Sequence, residues 1–199
     1  SLGIDLLIVA PNESQALTPI VEEVFSSGIP VILIDRETDS ELYSAYIGAD
    51  NYEIGKTAGK YVINRMNGKG HILELQIPLK MSPGYLRHKG FRDAIKGYPD
   101  LKIVGAKEIL YHELHLRPYL DSILNGETRV DVIYAHTDVV AEASHKVAAS
   151  YGLAENIIFV GVDGIPGTGR GIQAVEDGIL DASMLYPTGG SDAIRLAIS

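Results

Sequence analysis

The residues best suited to chemistry in this chain sit just after apolar runs. Asp35-Arg36 follow Pro30–Ile34, His136-Thr137-Asp138 follow the run 131–135, Asp163-Gly164 follow 157–162, and Tyr186-Pro187 follow 181–185. Arg87 lies near the start of the helical pattern after the run 71–77. The set combines carboxylates, guanidinium groups, a hydroxyl and an aromatic ring. It contains no cysteine and no evident nucleophile–base pair. Such a mixture suits a polyhydroxylated ligand. A carboxylate accepts from two neighbouring hydroxyls, a guanidinium donates to two oxygens as a fork, and an aromatic face covers the C–H side of a sugar ring. Each member also has a plainer reading: Asp35-Arg36 as an exposed loop pair, Asp163 as the cap of a turn, Arg87 as a surface helix residue. Their joint placement favours a site, because open α/β sheets bind ligands outside the carboxyl ends of their strands.

Several other patterns imitate catalytic motifs and fail on spacing. Gly55-Lys56-Thr57 resembles the end of a phosphate loop, but Asp50 stands where the first glycine belongs and the triplet falls inside a helical pattern. The stretch Gly161–Gly171 is glycine-rich and follows a strand, yet Ile172 occupies the last position of a dinucleotide fingerprint. His112-Glu113-Leu114-His115 has one residue between Glu and His where a zinc-protease helix needs two. Ser82, Ser183 and Ser191 lack a nucleophile elbow. Asn12-Glu13-Ser14 fits a glycosylation sequon but is more simply a helix cap. No metal, no cofactor and no catalytic residue is expected.

The elements that must position these residues alternate. Apolar runs at 4–10, 30–35, 71–77, 131–135 and 157–162 show no polar alternation, which reads as strands buried on both faces. Weaker strands follow at 44–49 and 181–186. Between them, Ala16, Ile20, Val24 and Phe25 line one helix face, and Ile54, Ala58, Tyr61 and Val62 line another. Leu120, Ile123 and Leu124, then Val139, Ala143 and Val147, mark two more. Asn12 or Ser14, Asn51 and Asp138 are expected to start helices, and Gly28, Asn67-Gly68 and Gly152 to end them. Strand and helix in this rhythm predict a doubly wound, mainly parallel α/β architecture.

Composition narrows the function classes. An apolar share of 46% beside 22% charged residues excludes a disordered chain. With 17 basic against 26 acidic residues, the net charge of −9 speaks against nucleic acid as a direct partner. The absence of cysteine excludes disulfides and thiolate metal sites. No apolar run approaches the ~20 residues of a membrane span.

The order of motifs resembles a known family. It runs from Gly3–Pro11 through Gly28–Arg36, Tyr46–Asn51 with Gly55 and Gly59, and Arg87-His88-Lys89-Gly90-Phe91. It continues through Val160–Gly164, Ala174-Val175 with Gly178, and Ala182-Ser183. This resembles the type I periplasmic-binding-protein-like sugar-binding domain shared by ribose-binding proteins and lac-repressor-type regulators. Leu185–Gly190, together with the Arg87–Phe91 segment, resembles the sensor domains of Bacteroides-type hybrid two-component histidine kinases. The resemblance implies ligand contacts at Asp35, Arg36, Arg87, Asp163 and Tyr186, with Tyr111 as an aromatic wall. Thr137 stands at a further contact position where sugar binders usually carry Asn, and Ala10 stands where many carry Asn before Pro. These departures bear on which ligand is bound.

The resemblance also implies two lobes crossed by the chain near Ala49-Asp50 and near Tyr186-Pro187. Residues 50–186 would form a complete carboxy-terminal lobe. Residues 1–49, with 187–199 returning to them, would form part of an amino-terminal lobe whose opening strand–helix units are absent. The strand at 4–10 would then present an unpaired apolar edge, and self-association through it is expected. The function implied is sugar binding in a periplasmic sensor whose hinge closure signals to a histidine kinase. The alternatives are the solute-binding component of a sugar importer, or the effector domain of a transcriptional regulator in the cytoplasm. A nucleotide-dependent α/β enzyme is disfavoured by the failed glycine fingerprints.

Overall fold

The computed structural model describes residues 3–109, 113–167 and 170–198. In chain order the elements are β1 (Leu7–Val9), α1 (Ser14–Ser26), β2 (Val31–Ile34), β3 (Ala45–Ile47), α2 (Asn51–Met66) and β4 (Gly70–Gln76). There follow α3 (Ser82–Ile95), β5 (Leu101–Glu108), α4 (Glu113–Leu124), β6 (Val132–Ala135) and α5 (Asp138–Ser150). The chain ends with β7 (Ile158–Asp163), α6 (Ile172–Glu176), β8 (Ala182–Leu185) and α7 (Gly190–Ala197). Every apolar run expected to be a strand is one. Among the described residues no helix is long and apolar enough to cross a membrane.

The chain divides into two compact units. The first comprises Ser1–Asp50, Lys80–Pro83 and Pro187–Ser199, and the second Asn51–Leu79 and Gly84–Tyr186. In the first unit β1, β2 and β3 form a parallel sheet in that order. Leu7, Val9, Val31, Leu33 and Tyr46 share one face of it, where Val21, Val24 and Phe25 of α1 complete a small core. The alternation of a strand puts Ile32 and Ile47 on the other face, where Gly189, just ahead of α7, abuts Ile47.

The second unit is a five-stranded parallel sheet in the order β5-β4-β6-β7-β8. Both faces are covered. Ala58 and Val62 of α2 and Phe91 and Ile95 of α3 pack on Ile72, Val132, Tyr134, Val160 and Val162. Leu116, Leu120 and Leu124 of α4 and Val140, Ala141 and Val147 of α5 pack on Leu73, Leu75, Ile133, Ala135 and Phe159. Consecutive residues such as Ile72 and Leu73 serve opposite cores, which is why these strands read as unbroken apolar runs.

Two expectations need correction. β5 has no counterpart among the expected strands. As a half-exposed edge carrying Lys102, Lys107 and Glu108, it lacks the apolar run of a central strand. At α1 the N-cap is Glu13, without a side-chain capping bond. Ser14 Oγ instead donates to the Glu37 carbonyl at 2.8 Å, and Asn12 Oδ1 accepts from Arg36 Nη1 at 2.8 Å. Both residues expected to start the helix therefore hold the loop that follows β2.

Candidate ligand-binding site

The strand order of the second unit reverses between β4 and β6, and such a reversal opens a crevice at the carboxyl ends of the strands. Arg87 is anchored there. It is only 3% exposed. Its Nε donates to Asn51 Oδ1 at 2.8 Å, and its Nη1 donates to the carbonyl of His136, just past β6. The guanidinium carbon lies 5.0 Å from the centre of the Tyr186 ring, and Nη1 lies 3.9 Å from Asp163 Oδ1. Asn51, expected to cap α2, is thus the partner that sets the plane of the fork.

Glycines bring α2 and α3 close enough for this contact. A Cβ on Gly55 would overlap the Arg87 carbonyl, one on Gly90 would overlap the Tyr52 carbonyl, and one on Gly59 would lie 2.6 Å from Ala94 Cβ. The Gly55-Lys56-Thr57 triplet lies inside α2 and makes a helix crossing.

A second polar centre surrounds Asp138. Its Oδ2 accepts from the Gly164 amide at 2.8 Å and its Oδ1 from Ser183 Oγ at 2.6 Å, joining the ends of β6, β7 and β8. Burial raises the pKa of this carboxyl, against the pull of its hydrogen bonds to Ser183 and Gly164. Thr137 is buried as the N-cap of α5, its Oγ1 accepting from Val140 N at 3.3 Å. Asp163 has φ of 127° and Asp35 has φ of 66°. Left-handed backbone at two non-glycine residues is strain of the sort concentrated at functional sites.

Beneath Arg87 lies a buried carboxylate, Glu74 of β4. Its Oε1 is 3.0 Å from His88 Nδ1 and 3.2 Å from His136 Nε2, and its Oε2 accepts from Arg92 Nε at 2.8 Å. Burial alone would raise its pKa. The hydrogen bond from His136, with the charge of Arg92 beside it, holds it below the usual carboxylate range instead. Burial lowers the pKa of His136, against its hydrogen bond to Glu74. Both shifts act in one direction. As the pH falls, the unfolded chain takes up protons that the folded chain does not, at His136 below 6.5 and at Glu74 below 4.5. Both groups therefore lend stability that acid removes, while Asp138, shifted upward, works against them in its own range. For Glu74 this stability is lost as the pH falls below 4.5. Acid unfolding of Glu74→Gln is expected to lack this slope, and equal slopes in variant and wild type would contradict the assignment.

In the first unit, Asp35 and Arg36 follow β2. Arg36 Nε lies 3.2 Å from Asp35 Oδ2, and the Asp35 amide donates to the Ile47 carbonyl at 3.0 Å. The Arg36 side chain is 19% exposed, so it is no free surface arginine. Burial, with the charges of Glu37 and Asp35, pushes the Tyr46 hydroxyl up to about 12.

Of the residues singled out from sequence, Arg87, Asp163 and Tyr186 come together in the second unit, with Thr137 next to the His136 carbonyl that holds Arg87. Asp35 and Arg36 pair in the first. Tyr111 lies outside the described residues, as does His112 of the His112–His115 stretch. Sequence reasoning missed Asn12, Asn51, Glu74 and the His136 carbonyl as partners of the site. Glu74 had a signal, a glutamate within an otherwise apolar strand. Among the described residues no group of three or more His, Asp or Glu could hold a metal ion.

The periplasmic binding protein domain model matches residues 1–198. The galactofuranose-binding protein YtfQ of Escherichia coli (strain K12) is 29% identical over 191 residues, covering 92% of this chain and 59% of that protein. The ribose import binding protein RbsB of the same organism is 25% identical over 182 residues, covering 92% and 60%. The chain thus spans about 60% of the length of the curated relatives it matches. Among solved structures, the fructose binding periplasmic domain of hybrid two component system BT1754 superposes with a TM-score of 0.94 at 42% identity, covering 98% of this chain and 65% of that one. These relatives are binding proteins, and their fold is the type I arrangement of parallel α/β units. The chain belongs to the periplasmic binding protein domain family.

Proposed function

We propose that this chain binds a small polyhydroxylated ligand, a mono- or oligosaccharide, as part of a periplasmic sensor in which ligand-driven closure of two lobes signals to a histidine kinase. Arg87, Thr137, Asp163 and Tyr186 are the contacts offered by the second unit, Asp35 and Arg36 those offered by the first, and Tyr111 supplies an aromatic wall. The observation that carries the reading is the guanidinium of Arg87. It is pinned at Nε and Nη1, faced by an aromatic ring and placed beside a carboxylate at the switch point of the sheet. The 42% identity to the fructose binding periplasmic domain of a hybrid two component system supports the sensor assignment. The ribose import binding protein supports the alternative of a solute-binding component, at the lower identity of 25%. Any signal requires that the ligand bind the closed form better than the open one.

A thermal-shift panel of D-fructose, D-ribose, L-arabinose and common disaccharides tests the sugar assignment. At least one sugar is expected to raise the melting temperature of the wild-type chain in a concentration-dependent way. No shift with any of them would count against it.

We also propose that the chain self-associates. Among the described residues β1 is an edge strand of its sheet, with Ile8 exposed on it and Ile4 exposed just ahead of it, and an exposed apolar edge invites pairing with another copy. Light scattering should show concentration-dependent growth in mass, abolished by Ile8→Lys. A wild-type monomer at all concentrations would refute this.

A further inference from the structure

Glu74 is wholly buried, and none of the proposed ligand contacts includes it. Its neighbours nevertheless converge on Arg87. The first route runs through β6. His136 Nδ1 accepts from the Ile77 amide at 3.3 Å, so the neutral ring carries its proton on Nε2 and donates it to Glu74. With both ring nitrogens engaged the residue is fixed, and its carbonyl receives Arg87 Nη1. The second route runs through α3. Arg92 and His88, on the helix that carries Arg87, both bond the carboxylate of Glu74. That sets the position of α3 over β4. An apolar residue could fill the space under α3 without desolvating a charge, and replacing a buried ion pair by apolar groups is often neutral or stabilising. What an apolar residue could not do is orient the His136 carbonyl and α3 together.

We propose that Glu74 is the positioning residue for Arg87, holding its guanidinium through His136 and its backbone through His88 and Arg92. The geometric part stands on the second unit alone; the consequence for affinity rests on the reading of Arg87 as a ligand contact. The test compares Glu74→Gln with Val147→Ala. Val147 lies in the core on the opposite face of the sheet, so its truncation lowers stability without touching this network. Exchange of the Arg87 Nε–H, followed by NMR in the whole chain, is the deciding measurement. A hydrogen bond to a charged group corresponds to about a tenfold change, so Glu74→Gln should speed this exchange about tenfold beyond any effect of Val147→Ala at equal loss of melting temperature. Calorimetry with D-fructose as the probe should show a similar loss of affinity in Glu74→Gln and none in Val147→Ala. Equal exchange in the two variants, or exchange unchanged by Glu74→Gln, would overturn the proposal. If wild-type protein bound no sugar, the sugar reading would fail, and the exchange comparison would still decide the role of Glu74.

Discussion

Gly55→Ala is expected to lower the unfolding free energy by about 2 kcal/mol, measured by chemical denaturation. Helix propensity alone points the other way, since alanine is favoured over glycine in a helix interior by about 1 kcal/mol. The contact decides the sign. The new Cβ would overlap the Arg87 carbonyl, and backbone on a packed helix cannot swing aside as a flexible side chain would. α2 and α3 must separate, which strains the bond between Asn51 and Arg87. Gly97 is the control. A Cβ there meets nothing within 4 Å, so Gly97→Ala is expected to be neutral or slightly stabilising. If Gly55→Ala proved as stable as Gly97→Ala, the close crossing of the two helices would be wrong.

Arg87→Lys carries the second large effect. The substitution keeps the charge but not the fork, because one ammonium cannot donate in the directions of both Nε and Nη1. Asn51 Oδ1 or the His136 carbonyl would lose its partner, and the ring of Tyr186 would lose a planar cation to stack on. At roughly 1.5–3 kcal/mol for a hydrogen bond to a charged group, affinity for the sugar should fall about 10- to 150-fold. Calorimetry on wild type and variant measures it. Unchanged affinity would remove Arg87 from the site.

Much of this arrangement was legible in the residues. The central strands carry unbroken Val, Ile and Leu because both of their faces are covered. The rule that ligands gather at strand carboxyl ends then picked out Arg87, Asp163 and Tyr186 before any coordinates. β5 was hidden because an edge strand needs no apolar run, and Lys102 and Lys107 read as surface. The partners were hidden for another reason. Asn12, Ser14 and Asn51 have the chemistry of helix caps, and a local pattern cannot tell a cap from a side chain that reaches a residue tens of positions away. Asn51 meets Arg87 across 36 positions and Asn12 meets Arg36 across 24. Gly55 and Gly90 stand 35 positions apart, and only packing shows that they serve one helix crossing. Glu74 was visible as a polar residue inside an apolar run. The histidines and arginine that stabilise its charge come from the residue after β6 and from α3, which sequence spacing does not bring together.

A polyhydroxylated ligand held at the Arg87 end of the second unit, as proposed, must perturb that end when it is added. Titration of isotopically labelled protein with D-fructose and the other sugars of the panel, followed through the Arg87 Nε–H and the backbone amides, tests it most directly and registers even weak binding. For at least one sugar, saturable shifts concentrated at Arg87, Thr137, Asp163 and Tyr186 are expected. Spectra unmoved by every sugar, or shifts confined to residues far from the carboxyl ends of β4 and β6, would contradict it.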